Sequence, residues 1–466
     1  MRDWNLKSSR ETKNFRKISY VIITSIAILN LSGCDVLQRM QSAFTKTDVI
    51  ESEESSPLIP ESTNPSPGTG GIKVIDINGD VHEASVNVID EGEAEDNAAE
   101  ALPAQNLAQA AQNLSLSGEV NYAYTGLSDS GKTCYLEIYA ILIDLLEKVE
   151  LTSKDPDEID LAFRAVMVDH PEIFYVKGYS IGKYMSGDVL KKIVFSGTYT
   201  MSKEDVERGR VKTDEYVSRV VQGYSGDGSD YDKIKYVYDY LIRNNEYVPE
   251  SVNNQNILSV VEYGQTVCQG YTKMMQLILN KMGIFCTLVN GTACGSGGVP
   301  DPEDLADVKN AEWGGHVWNI VKCNGMYYNV DVTWGDAAIT LMNANGETSD
   351  NIDVNYEFFL VDDASLDETH KPEPVVTMPR CNSMDDNYYI HEGLYFTAVD
   401  PDRFYRAFES SIASGERIMF IKASSPEAYN KIRKHLFDDQ NVFEYLGRSN
   451  VRYVEFAERN LIMISL

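Results

Sequence analysis

The chain has 466 residues, with 41 Lys and Arg against 71 Asp and Glu, and a formal net charge of −30. A surface this acidic repels phosphate backbones, and no basic cluster follows the N-terminal region, which excludes nucleic acid as a partner. With 43% hydrophobic residues, the sequence carries enough apolar material for a sizeable folded core.

In chain order, Arg2, Lys7, Arg10, Lys13, Arg16 and Lys17 make a basic start. A short, mostly apolar run follows, ISYVIITSIAILNL (18–31), and then LSGC at Leu31–Cys34. The run is short for a membrane span but suits a signal-peptide core. Its ending resembles the lipobox of bacterial lipoproteins, which implies cleavage before Cys34, lipidation of its thiol and a mature protein anchored outside the cytoplasmic membrane. Residues 1–33 thus read as a signal peptide. Removing their six basic and two acidic residues moves the net charge from −30 to −34. Residues 34–118 are acidic, rich in Pro, Ser and Ala and poor in aromatics, and read as a disordered tether of about 50 Å reach. Within it, IKVIDINGDVHEASVNVID (72–90) has the pattern of a weak hairpin.

Residues 119–250 read as a mixed α/β region, with helical periodicity at 134–149, 157–169, 202–222 and 229–245 and strand-like runs near 172–184 and 189–200. GLSDSGKT (126–133) fits the P-loop pattern, between a candidate strand VNYAYT and a helix. That strand alternates, whereas a P-loop strand is buried on both faces and reads as a continuous apolar run. The segment is therefore a helix start capped by Ser128 or Asp129, and no nucleotide is expected.

Residues 251–384 hold the chemistry. TVCQGYTKMMQLILNKMG (266–283) places Cys268 at the mouth of an amphipathic helix that buries Tyr271, Met274 or Met275, Ile278 and Met282 and ends at Gly283. The first turn of a helix favours negative charge, which suits a nucleophilic sulfur and a developing oxyanion alike. HVWNIVKCNGMYYNVDVTW (316–334) is two strands around Asn324-Gly325. Centring the turn there sets Trp318 opposite Asp331 and His316 opposite Thr333, with His316 and Asp331 as diagonal neighbours on one face. Asp331 would orient His316, and His316 would take the proton of Cys268. The plain alternative is a buried Cys and a strand His in a core. A buried aspartate is harder to dismiss, because it needs a partner. Without Cys-x-x-Cys or a close His pair, no metal is expected. Cys134, Cys286, Cys294, Cys323 and Cys381 allow at most two disulfides. Residues 385–466 read as a small α/β unit.

TVCQGYTK (266–273), GGHVWNIVKCNGMYYNVDVTWGD (314–336) and NNQNILSVVEYGQ (253–265) together strongly resemble the transglutaminase-like superfamily of bacterial extracytoplasmic proteins. VMVDHPEIFYV (166–176), LSDSGKTCYLEIYAIL (127–142) and YYIHEGLYF (388–396) look like segments that accompany this domain in bacterial relatives. The resemblance implies an α+β, papain-like core, with Cys268 on a helix N-terminus and His316 and Asp331 on adjacent antiparallel strands. Cys268 would be the nucleophile, His316 the general base and acid, and Asp331 its orienter. Gln255 becomes a candidate oxyanion donor, with Gln265 a weaker one. The Gly/acidic segment 290–315 would border the cleft, and Trp318 and Trp334 would pack the site. His170, His370, His391 and His435 have no comparable partners and are expected to be structural.

Such a triad attacks an acyl carbon and leaves a thioester, which water or an amine resolves. The expected function is a surface-anchored cysteine acyl-transfer enzyme on peptide or protein amides. Hydrolysis is slightly preferred, cell-wall peptides are a candidate substrate by location, the membrane is met through the lipid alone, and no cofactor is needed. The other reading is an inactive binding or scaffolding module of the same fold.

Overall fold

A computed structural model describes residues 121–294, 309, 311–336 and 354–466, together with the backbone of strands at 72–75, 81–90, 102–103, 339–342 and 348–352. Cys34 and the signal-peptide and lipobox residues lie outside the described residues, as does most of 34–118. Within that segment, β1 (Ile72–Ile75) and β2 (Val81–Asp90) form the antiparallel hairpin its pattern predicts. The difference from a free tether is that β2 also pairs in parallel with β5 (Val176–Ser186). Likewise β3 (Leu102–Pro103) pairs with β4 (Val149–Leu151). With β6 (Val189–Tyr199) they complete a six-stranded sheet in the order β1-β2-β5-β6-β4-β3. Backbone pairing with an edge strand recruits even a polar sequence, because it satisfies main-chain donors and acceptors irrespective of side chain.

The helices of this region start where short polar residues can cap them. Ser128, Asp155, Ser202 and Ser229 each accept from a backbone N–H two or three residues on. Ser128 Oγ takes the N–H of Gly131 at 3.0 Å, so the GLSDSGKT match opens an ordinary helix, Asp129–Ile143. That helix stops short of the expected 149 because Leu145 and Lys148 adopt φ of 53° and 56°. The candidate strand VNYAYT is instead a helical turn, Tyr122–Thr125. Its N–H groups at Ala123 and Tyr124 are held by the buried carboxylate of Asp169, a long-range cap that local alternation does not reveal.

The helix Cys268–Lys281 runs through the centre of the larger core. Tyr271, Met274, Met275, Ile278 and Leu279 are fully buried, and so, nearly, are the polar Thr272, Lys273 and Gln276. Met282, expected in the buried stripe, follows the helix and is half-buried. Burial on almost every side requires the polar residues to be tied. Gln276 Nε2 donates to the carbonyl of Val168 (2.9 Å) and Thr272 Oγ1 to that of Val317 (3.1 Å). Just before the helix, β7 (Glu246–Tyr247) and β8 (Gln265–Thr266) form a short parallel pair.

Beside this helix lies a five-stranded antiparallel sheet in the order β14 (Phe359–Val361), β11 (Met326–Val330), β10 (Trp313–Cys323), β9 (Cys286–Cys294), β15 (His370–Pro372). Asn324 and Gly325, with φ of 49° and 87°, make the tight turn between β10 and β11, and Cys323 pairs with Met326 as the Asn-Gly signal requires. Strand alternation sends Val317, Val321 and Cys323 into the larger core and Trp318 and Ile320 into a second cluster with Val289, Trp334, Phe358 and Val361. β12 (Ile339–Met342) and β13 (Thr348–Ile352) pair as a separate hairpin. The C-terminal region folds as a sheet in the order β16 (Tyr395–Phe396), β17 (Ile418–Ala423), β19 (Leu461–Ser465), β18 (Tyr453–Phe456), with helices Pro401–Ala413 and Pro426–Arg433. Glu357 ties it to the core by accepting from Arg459 Nε (2.7 Å) and Lys422 Nζ (3.3 Å). Among the described residues, Cys134, Cys268, Cys286, Cys294, Cys323 and Cys381 are not joined by disulfides.

Gly270 lets the Cys268 helix approach β8. A Cβ there would lie 1.8 Å from Thr266 Oγ1, an oxygen already hydrogen-bonded to Ser259 and to the carbonyl of Asn254. Gly270→Ala is therefore expected to cost about 1–3 kcal/mol in denaturant unfolding. Part of the loss should be recovered when Thr266→Ala is combined with it in a double-mutant cycle; additive effects would show that this contact is not the constraint.

Candidate active site

Cys268 is the first residue of its helix. Val267 precedes it and makes no side-chain cap bond, so the first turn's donors are not spent on a cap side chain. Cys268 retains 9% exposure, whereas His316 has 3% and Asp331 none, so Cys268 is the most exposed of the three.

His316 Nε2 meets Asp331 Oδ2 at 2.6 Å, with both side chains fully buried. The route differs from a simple ladder. Pairing of β10 with β11 stops at Asn319–Val330, one pair short of the Trp318–Asp331 position. Asp331 donates its N–H to the carbonyl of Phe358 and caps the short helix Val332–Gly335, its Oδ1 accepting the N–H of Trp334 at 3.1 Å. Thr333, expected opposite His316, is on that helix. The diagonal meeting of His316 and Asp331 survives because the carboxylate turns back toward β10 from the cap position.

The electrostatics follow from this burial. Desolvation alone would raise Asp331, but the charge and hydrogen bond of His316, with a hydrogen bond from His370, hold it well below the usual carboxylate range. Desolvation alone would lower His316, and the Asp331 charge, assisted by Cys268, outweighs it and lifts the ring above the ordinary imidazole range. With Nε2 on Asp331, the buried Nδ1 has no nitrogen or oxygen partner, and Cys268 is the other side chain that acts on the ring.

His370, expected to be structural, is part of this cluster. Its Nε2 lies 3.0 Å from the same Asp331 Oδ2, and its side chain is fully buried. Local pattern carries little sign of this, since the contact spans 39 residues and comes from a three-residue edge strand. His170, His391 and His435 lie elsewhere: His170 with Glu172 and Tyr139, His391 stacked on Tyr231, His435 with Tyr445. His316, Asp331 and His370 are also a set that could in principle hold a cation. The fit is poor, because donors about 2.1 Å from one tetrahedral ion sit roughly 3.4 Å apart, whereas both nitrogens approach one oxygen at hydrogen-bond length.

Gln255 is exposed in the turn before a short helix, Ile257–Tyr263, where its carbonyl accepts from Lys273. Trp318 and Trp334 pack against the histidines, with Trp334 4.4 Å and Trp318 5.1 Å from His370 between ring centroids. Asn319, which sequence reasoning passed over, joins the helix to the sheet, its Nδ2 donating to the carbonyls of Thr272 (3.1 Å) and Thr287 (3.3 Å). Most of the Gly/acidic segment 290–315 lies outside the described residues.

Residues 218–332 match the transglutaminase-like superfamily. They form a transglutaminase-like core. The match takes in Cys268, His316 and Asp331 and ends before His370. Among solved structures, a transglutaminase aligns at 14% identity over 34% of this chain and 44% of its own length, with a TM-score of 0.22. A candidate cysteine protease from Cytophaga hutchinsonii aligns at 9% identity over 46% and 84% of the two chains, with a TM-score of 0.21. Menin, solved to reveal its binding site for the Mixed Lineage Leukemia protein, aligns at 12% identity over 53% and 56%, with a TM-score of 0.21. This chain thus spans less than half of the first of these. With every score near 0.2, it is the family match that carries the assignment. No curated protein matches the chain.

One further carboxylate braces the transglutaminase-like core. Asp336, just past the Val332–Gly335 helix, accepts from Tyr271 Oη on the Cys268 helix. Burial pushes it up to about 7, against the hydrogen bonds from Tyr271 and the backbone of Tyr247. A carboxyl raised above its unfolded value stays protonated in the folded state while the unfolded chain ionises, so its contribution falls as pH rises from about 4 to about 7. Asp336→Asn, which keeps an acceptor for Tyr271, should gain stability relative to wild type across that window, and the gap should be constant above it. A gap independent of pH in denaturant unfolding at pH 4–8 would contradict this.

Proposed function

We propose that the protein is a cysteine acyl-transfer enzyme acting on peptide or protein amide bonds and held at the bacterial cell surface by a lipid on Cys34. The observation that supports it most directly is the placement of Cys268 at an uncapped helix start beside His316, whose far nitrogen rests on a fully buried carboxylate.

On this reading Cys268 Sγ attacks the acyl carbon, and its proton resides on His316 Nδ1. Backbone N–H groups of the helix's first turn would be donors for the oxyanion. His316 returns the proton to the departing amine, leaving a thioester on Cys268. Water entering next gives a peptidase or amidase, and a second amine gives a transglutaminase, so the acceptor is decided by what the cleft admits. Asp331 takes no proton; its charge keeps His316 oriented and stabilises the imidazolium. Cell-wall peptides are the substrate class that a surface anchor brings within reach.

The test is the pH dependence of Cys268 alkylation in the whole protein, mapped by mass spectrometry, with His316→Ala in parallel. Fast labelling that persists well below pH 8, slowed about tenfold or more by the substitution, is the expected result. An unreactive Cys268, or labelling that follows an ordinary thiol and ignores His316, would favour a binding or scaffolding module instead.

A further inference from the structure

We propose that His370 is a positioning residue for Asp331, acting through the carboxylate on His316; the inference rests on the reading of Cys268 and His316 as the reacting pair. The Asp331 carboxylate is gripped from three segments. Oδ1 takes the N–H of Trp334, and Oδ2 takes His316 Nε2 and His370 Nε2. With His370 removed, Oδ2 would be held by His316 alone, and the Trp334 N–H on Oδ1 would be the one remaining anchor of the carboxylate, among the described residues, that is independent of His316.

The tautomer of His370 follows from its neighbour. Thr369 Oγ1 lies 2.9 Å from His370 Nδ1 and 3.3 Å from the carbonyl of Leu366, and the hydroxyl has one proton to give. Given to Leu366, it would require Nδ1 to donate, leaving a bare Nε2 against Asp331 or a second buried imidazolium 5.5 Å from His316 between ring centroids. Given to Nδ1, it leaves Nε2–H to donate to Asp331. Burial favours this neutral form, and the ring is held below the ordinary imidazole range at about 4. His370 thus serves as a neutral donor, fixed by Thr369 on one side and by pairing with Ala293 at the sheet edge. The rings of Trp334, Trp318 and Phe358 enclose it.

A histidine that only fills this aromatic pocket and one that donates a bond are separated by two substitutions. Phe fills the pocket and donates nothing; Gln can place an amide N–H where Nε2–H stands. In the full-length protein, alkylation of Cys268 at pH 6 should fall about tenfold or more in His370→Phe. It should stay within about threefold of wild type in His370→Gln. By NMR, the His316 Nε2–H signal should persist in wild type and His370→Gln and be lost to exchange in His370→Phe. Retention in Phe with loss in Gln assigns His370 to packing and overturns the proposal, as do two variants that behave alike. If wild-type Cys268 proves unreactive, the enzyme reading falls, and the same NMR comparison still decides whether His370 holds Asp331.

Discussion

The site depends on one constraint: an ionised carboxylate, Asp331, with no exposure to water. Taking such a group out of solvent costs several kcal/mol unless its lone pairs are satisfied, and withdrawing one partner of a buried pair costs about 3–5 kcal/mol. The fold meets this by bringing donors from β10, from the helix that Asp331 caps and from β15 to one side chain. Strand order is therefore coupled to charge. With β9 between β10 and β15, the sheet must close over the carboxylate before the charge is tolerable. A site built this way is rigid as a consequence of folding rather than as an addition to it.

Around the charge the packing is apolar, which strengthens every contact inside it. Trp318, Trp334 and Phe358 belong to a cluster separate from the larger core that holds the Cys268 helix. Phe358 meets Trp334 edge-on at 4.7 Å, and Arg459 from the C-terminal unit lies 5.5 Å over Phe358. Next to Phe358, Glu357 is held below the ordinary carboxyl range, its burial outweighed by Arg459 and Lys422. The small C-terminal unit is thereby tied into the wall behind the histidines. Its own apolar residues, Phe420 and Ile464 among them, belong to the larger core, so the unit joins both clusters.

What could be read from the sequence was whatever is encoded over short distances. Asn324-Gly325 fixed the hairpin register, and that register put His316 and Asp331 within reach. The apolar spacing after Cys268 located its helix, and Ser128 was readable as a cap despite the P-loop spelling. What escaped was decided by contacts across the fold. VNYAYT alternates like a strand, yet Asp169, over forty residues away, caps it as a helical turn. His370 sits in a three-residue strand with no periodicity to read, and its partner is 39 residues back. The recruitment of residues 85–90 to β5 is a main-chain interaction to which side-chain pattern is nearly blind.

Two histidines on one carboxylate raise the question of which carries the charge, and their second nitrogens answer it. Both rings are fully buried, share Asp331 Oδ2 and sit 5.5 Å apart, so two imidazolium ions would repel across a space with no water to screen them. One negative charge supports one positive partner. The other nitrogen of His370 faces a hydroxyl, which can donate to a neutral ring and gains little from a charged one. The other nitrogen of His316 has no such donor and acts with Cys268, a group able to become an anion and so to reward a proton on the ring. The asymmetry between a threonine and a cysteine thus assigns the charge to the histidine that faces the reacting sulfur.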